Sequence, residues 1–195
     1  MSRTSLKVEL LSHTPHPDEV VATGARMCYS SAGVEDLIRG VAEKDQSKYL
    51  QRIVDMGHLS PIEHASFTFA VEGVSRALLA QITRHRIASF SVQSQRYVSQ
   101  ANQMGSFPYI LPPSIEALGP EAVAEYDRQM ETMQKWYNQW QAKLGAKGEK
   151  SNEDARFVLP NACETRMVIT MNARELMHFF SLRCCNRAQW EIRAL

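Results

Sequence analysis

The chain has 195 residues, 44% apolar and 22% charged, with a formal net charge of +1. That balance excludes a disordered chain and suffices for one well-buried core, and near-neutrality excludes a global field drawing the protein onto nucleic acid or an anionic membrane. Any anion binding must be local, and the arginines gather in the second half of the chain, from Arg76 to Arg193.

The opening MSRTSLKVELLSH holds no apolar run long enough for a signal peptide or a membrane span. Leu6 to Leu11 reads as a strand and His13 to Asp18, with two prolines, as the loop after it. From Val34 to Met56 apolar residues recur at helical spacing, and Gly57 is placed to stop that helix as a left-handed cap. In His58-Leu59-Ser60-Pro61-Ile62-Glu63-His64, Ser60 as N-cap, Pro61 at the first helical position and Glu63 predict a capping box. Phe67, Phe69 and Val71 then alternate with polar or small residues as a strand ended by Gly73, and Ser75 caps a helix through Leu78, Leu79 and Ile82.

After a proline-containing loop over Phe107 to Pro113, a long helix is predicted from Pro120 to about Leu144. Its stripe runs through Val123, Tyr126, Met130, Met133, Tyr137, Trp140 and Leu144, and reads as core or helix-pair packing. Gly145, Gly148 and the residues between them form a loop, Ser151 with Asp154 caps a short helix carrying Arg156, and Arg166 to Met171 reads as a further strand. Asn172 with Glu175 opens the last helix, whose stripe of Leu176, Phe179, Phe180, Arg183, Arg187 and Trp190 spans roughly 100°. The expected class is α+β: a single domain over residues 1–195 with a small, mostly antiparallel sheet flanked by long helices.

Two features ask for a ligand. Arg84-His85-Arg86, then seven residues, then Ser94 with Gln95, Arg96 and Tyr97 crowds cations that tolerate burial only beside an anion. Arg183 and Arg187 lie inside an apolar stripe, where a guanidinium needs an acidic partner, an escape to solvent or a planar ligand able to fork with it. Asn172 and Arg174 stand at a helix start, which favours phosphate, and Gln81 one turn before Arg84 offers an amide able to read a base edge.

Other chemistries fit less well. HLSPIEH is not a zinc motif, and no dinucleotide or P-loop glycine pattern occurs. Ser94 has no nucleophile elbow. The cysteines, Cys28, Cys163, Cys184 and Cys185, form no C-x-x-C pair, so reduced thiols in a cytoplasmic protein are expected. A nucleotide- or RNA-binding module built on the arginines lacks a stacked aromatic platform. A helical protein assembled through the Tyr126 to Leu144 stripe is a third reading.

The spacing from Arg84-His85-Arg86 to Ser94 resembles the signature of flavin-dependent thymidylate synthases. GHLSPIEHASFTF (Gly57 to Phe69), ARFVLP (Ala155 to Pro160) and MNARELMHFFSLRCCNRAQWEI (Met171 to Ile192) agree with that family, in order and over nearly the whole chain. The resemblance implies reductive methylation of dUMP to dTMP, with methylenetetrahydrofolate as carbon donor, FAD as redox carrier and NADPH as reductant. It implies a homotetramer with active sites shared between subunits. It carries His58, Ser60, Arg84, His85, Arg86, Asn172, Arg174 and His178 onto flavin contacts, and Gln81, Arg84, Ser94, Gln95, Arg96, Arg156 and Arg183 onto the nucleotide. Arg183 matches the arginine that faces the uracil, and no metal, enzyme nucleophile, nucleic acid or membrane enters the implied reaction. The chain departs from many relatives at Val92, where they have Glu or Gln, and from some at His178 (Asn) and Arg187 (His). It stops at Leu195 within a helical pattern, shorter than is usual for the family, as a natural or a truncated end would leave it.

Overall fold

Period-2 alternation of apolar and polar side chains builds the centre of the fold, and helices cover one face of it. A computed structural model describes residues 3–101, 105–145 and 148–195. In chain order the elements are β1 (Lys7–His13), α1 (Pro17–Met27), α2 (Val34–Ala42), α3 (Ser47–Asp55), β2 (Ser66–Ser75), α4 (Arg76–Ile82) and β3 (Ala88–Val92). There follow α5 (Pro113–Glu116), α6 (Pro120–Lys143), α7 (Glu149–Ala155), β4 (Glu164–Asn172), α8 (Ala173–Arg183) and α9 (Trp190–Ala194), with short 3₁₀ turns at Ser60–His64 and Arg156–Val158.

The sheet order is β1-β2-β4-β3 and every pairing is antiparallel, so the α+β expectation holds. One face packs Val71 and Val74 of β2 and Met167, Ile169 and Met171 of β4 against Leu78 and Ile82 of α4, Phe179 of α8 and Ile192 of α9. Complete burial of a leucine such as Leu78 contributes about 2–3 kcal/mol. A second cluster joins Phe107, Tyr109 and Cys163 to Met130 of α6.

Several expected boundaries move, each for a local reason. The loop after β1 is shorter than expected: α1 begins at Pro17, with Asp18 and Glu19 in its first turn, where acidic groups suit the helix dipole. The single helix expected from Val34 to Met56 is two. Buried Gln46 donates from its amide to the carbonyls of Val41 (2.8 Å) and Lys44 (2.9 Å), and Asp45 accepts from the Ser47 backbone N–H and hydroxyl. These bonds terminate α2 and start α3, while Gly57, at φ +72°, ends α3 as expected.

The capping box at Ser60 does not form. The segment is a 3₁₀ turn capped by no side chain, and Glu63 turns instead toward Arg174. Strand β2 runs past Gly73 to Ser75, through an irregularity between Val71 and Val74, and the Gly73 N–H donates to Glu164. Ser75 caps α4 as expected, its hydroxyl accepting from the Leu78 N–H. Ser151 sits inside α7 rather than at its start and donates to the Gly148 carbonyl; residues 146 and 147 of the preceding loop lie outside the described residues.

In α6 the buried line is Met130, Gln134, Tyr137 and Gln141, whereas Trp140 and Leu144 are exposed. The glutamines are buried because their amides hold the incoming loop: Gln134 donates to the Gln100 carbonyl and Gln141 to the Ser99 hydroxyl. The predicted last helix divides at Cys184, so Arg187 and Trp190 do not share the α8 stripe with Arg183.

Asp127 of α6 accepts from Arg3 (2.5 Å) and from the Tyr109 hydroxyl (2.5 Å), which fastens the N-terminal segment. The Arg3 hydrogen bond and, after it, that of Tyr109 hold the Asp127 carboxyl below its ordinary value, while burial, with Asp127, pushes Tyr109 up to about 12.

A Cβ at Gly73 would lie 1.9 Å from the Ser5 carbonyl oxygen at φ +70°. Gly73→Ala should therefore lower the free energy of urea unfolding by roughly 2–4 kcal/mol. Because the Asp127 carboxyl is depressed in the folded state, its contribution is complete above the ordinary carboxylate value, about pH 4, and is lost as pH falls through the folded value. Asp127→Asn should lower Tm at pH 7 and flatten its decline between about pH 5 and pH 3 in thermal melts.

Candidate active site

Strand register brings three separated segments to one end of the sheet. Ser66 pairs with Asn172 and Ala88 with Met171, so the residues before β2, before β3 and after β4 emerge together. Those residues are the 3₁₀ turn with Glu63, the Arg84-His85-Arg86 run, and the start of α8 with Arg174. Between them lies a cleft of about 820 Å³. Its polar wall is Arg84, Arg86, Asn172, Arg174 and Arg183, with His85, His178 and Glu175, and its apolar wall is Leu59, Ile62, Ile87, Met177 and Leu182.

Two of these cations, Arg174 and Arg183, are placed by defined contacts. Asn172 caps α8, its side-chain oxygen accepting from the Glu175 N–H at 2.9 Å, which leaves Arg174 in the first turn facing the cleft. Glu63 receives Arg174 Nη1 at 2.5 Å across the mouth, a half-exposed pair that solvent weakens and a stronger anion can displace. Arg183, one turn beyond Phe179, is partly buried: its Nε donates to His85 Nε2 (3.1 Å) and its Nη2 to the Gln81 carbonyl (3.4 Å). Local acidic pairing therefore does not account for Arg183.

The predicted site residues fall into two groups on one chain. Arg84, His85, Arg86, Asn172, Arg174, His178 and Arg183 line the cleft, and Gln81 stands behind its wall, where its carbonyl accepts from Arg183. Ser60 is exposed and His58 half-buried on the approach to the 3₁₀ turn, where His58 meets Tyr29 edge-on. Ser94, Gln95, Arg96 and Arg156 lie beyond the other end of β3. The five residues of that strand, roughly 16 Å of extended chain, separate them from Arg86.

This second group is anchored on α7, on Arg76 of α4 and on Cys163, just before β4. Asn152 donates to the Arg96 carbonyl at 2.8 Å while Glu149 receives the Arg96 guanidinium. Buried Gln95 accepts from Arg76 (3.0 Å) and donates to Cys163 Sγ (3.4 Å). Burial pushes the Cys163 thiol up to about 11, so it packs as a neutral group. Arg156 Nε donates to the Glu153 carbonyl, and the adjacent Phe157 stands 82% exposed.

Sequence reasoning missed two acidic members of the cleft. Glu63 and Glu175 both read as capping-box glutamates, and neither makes the reciprocal bond; each serves a cation or a histidine across the cleft. The missing signal was the partner, more than 85 positions away in both cases.

The family model described as thymidylate synthase complementing protein matches residues 9–195. The chain is 48% identical over 200 residues to a flavin-dependent thymidylate synthase from Clostridium tetani, covering 97% of this chain and 79% of that protein. It is 50% identical over 192 residues to another from Geobacter sulfurreducens, covering 97% and 78%. In structure it resembles thymidylate synthase X from Helicobacter pylori, solved with FAD and dUMP, with a TM-score of 0.68 and 25% identity over 97% of this chain and 89% of the other. With a match over almost its whole length and a cleft formed by the same motif segments, the chain belongs to the family of flavin-dependent thymidylate synthases.

Proposed function

We propose that the protein catalyses the reductive methylation of dUMP: dUMP, methylenetetrahydrofolate, NADPH and a proton give dTMP, tetrahydrofolate and NADP⁺. The observation that carries this reading is the convergence of Arg84, Arg86, Arg174 and Arg183 with an apolar wall in one cleft, in a chain of this family. A dinucleotide with a broad apolar ring system and two phosphates matches that division of polar and apolar surface. Arg84, Arg86 and Arg174 would hold the phosphates, with His58, Ser60, His85, Asn172 and His178 around the flavin. Bound FAD would supply the hydride chemistry.

The protein's own part is orientation and polarisation. Uracil is a weak electrophile and a weak nucleophile, so a guanidinium fixed against its edge in a site shielded from water stabilises the negative charge that develops as the ring reacts. Arg183 takes that role, and Gln81, Arg84, Ser94, Gln95, Arg96 and Arg156 bind the nucleotide. No enzyme nucleophile is needed.

The separation of Arg96 and Arg156 from the cleft on the same chain supports a site completed by a second subunit, as in a homotetramer, with exposed Phe157 and Tyr97 at the junction. Among the described residues no helix is long and apolar enough to cross a membrane, and we place the enzyme in the cytoplasm.

Purified protein should be yellow, lose its flavin absorption with NADPH and form dTMP; protein that takes up no FAD would overturn the reading. Arg183→Ala should retain FAD and lower kcat by about 100-fold or more. Arg174→Ala should chiefly weaken FAD binding, by about 10–100-fold in Kd. Equal flavin affinity in the two variants would contradict this division of roles.

A further inference from the structure

Along the floor of the cleft, two side chains of α8 and one from the turn between α4 and β3 form a continuous chain. Glu175 sits in the first turn of α8, His85 between α4 and β3, and Arg183 at the end of α8. The Glu175 and His85 side chains are 7% and 2% exposed. His85 Nδ1 lies 2.9 Å from Glu175 Oε1, and Arg183 Nε lies 3.1 Å from His85 Nε2.

The proton positions follow from the donors. A guanidinium N–H can only donate, so His85 Nε2 must present its lone pair. The ring proton then sits on Nδ1 and is donated to the Glu175 carboxylate. His85 is a neutral imidazole in a fixed tautomer, and Phe179 and His178 hold its plane, their ring centroids 5.1 and 5.9 Å away. Behind the guanidinium, Arg183 Nη2 reaches the Gln81 carbonyl. The carboxylate thus acts on the guanidinium through an imidazole and does not form a direct ion pair with it. A direct pair would cover the edge that a ligand must use; this arrangement holds Arg183 from behind and leaves it lining the cleft.

We propose that Glu175 and His85 are positioning residues that fix the orientation of Arg183 toward the uracil, with the buried Glu175 charge offsetting burial of the guanidinium. This rests on the assignment of Arg183 to the uracil made above. It gives His85 a role through Arg183, apart from any contact with the flavin.

The test uses the FAD-loaded enzyme and two glutamate variants. Glu175→Gln keeps the shape and an acceptor oxygen but removes the charge, and Glu175→Ala removes both. Glu175→Ala should lower kcat for dTMP formation by about tenfold or more, with FAD affinity within about twofold of the parent, and Glu175→Gln should fall between the two. Combined with Arg183→Ala, neither should lower kcat further, because the relay has nothing left to position. Multiplicative losses in the double variants would overturn the proposal. So would a Glu175→Gln enzyme with parental kcat, which also decides the matter should Glu175→Ala fail to fold.

Nitrogen NMR of histidine-labelled enzyme gives a readout independent of turnover, with the His85 signals identified by their loss in His85→Gln. A neutral ring protonated at Nδ1, whose Nε2 signal moves in Arg183→Ala, is expected. A ring protonated at Nε2 or at both nitrogens overturns the proposal whether or not dTMP is formed. The expected ring state in an enzyme that makes no dTMP would count against the function and leave the Glu175, His85 and Arg183 arrangement standing.

Discussion

Antiparallel pairing of β4 on both of its edges is the constraint from which the site follows. β4 is hydrogen-bonded to β2 on one side and to β3 on the other, and it runs without a loop into α8. Because side chains alternate along a strand, a slip of one residue in either ladder would turn Met167, Ile169 and Met171 away from the core, so burial fixes the register. The same register sets Glu63, Arg86 and Arg174 at one end of the sheet, although they are distant in sequence. The cationic cleft is thus a by-product of core packing: the charges tolerate proximity because the core has already placed their segments.

Within that frame the cleft handles its positive charge in two ways. At the mouth, Arg174 is neutralised by an exchangeable partner, Glu63, in a half-exposed pair that solvent screens. At the floor, Arg183 is held by neutral acceptors, an imidazole nitrogen and a backbone carbonyl, with the compensating carboxylate one ring further back. The first arrangement suits a cation that must release its partner to bind phosphate. The second suits one that must keep its direction while the ligand's charge changes.

Much of this was legible in the sequence, and the legible parts share a property: their causes are local. Ser75 and Asn172 announced helix starts, Gly57 announced an end, and the alternation at Phe67 to Val71 and the β-branched, apolar run at Arg166 to Met171 announced strands. The RHR-to-Ser94 spacing and the NAR segment pointed to the right family. What was hidden depends on contacts across the chain. Gln46 breaks a helix by reaching back to carbonyls that periodicity cannot see. Gln134 and Gln141 take core positions because a loop is tied to them. Arg187 was set in one stripe with Arg183 because nothing in the spacing reveals that the helix stops at Cys184. Ala88 to Val92 becomes a strand by pairing in full register with β4, a partner far along the chain.

The cap at the start of α4 carries a consequence for how the sequence can drift. Ser75 is bonded through its N–H (2.6 Å) and its hydroxyl (2.5 Å) to Glu191, a carboxylate only 3% exposed, from the last helix of the chain. Two positions 116 apart therefore act as one unit, and α4, which delivers Gln81 and Arg84 to the cleft, starts on that unit. Loss of either partner strands a buried polar group, and a joint change to two apolar residues still leaves the N–H groups of residues 75 and 78 without acceptors. Positions 75 and 191 are accordingly confined to small polar and acceptor side chains: the backbone itself, through the N–H groups of residues 75 and 78, dictates what the two side chains can be.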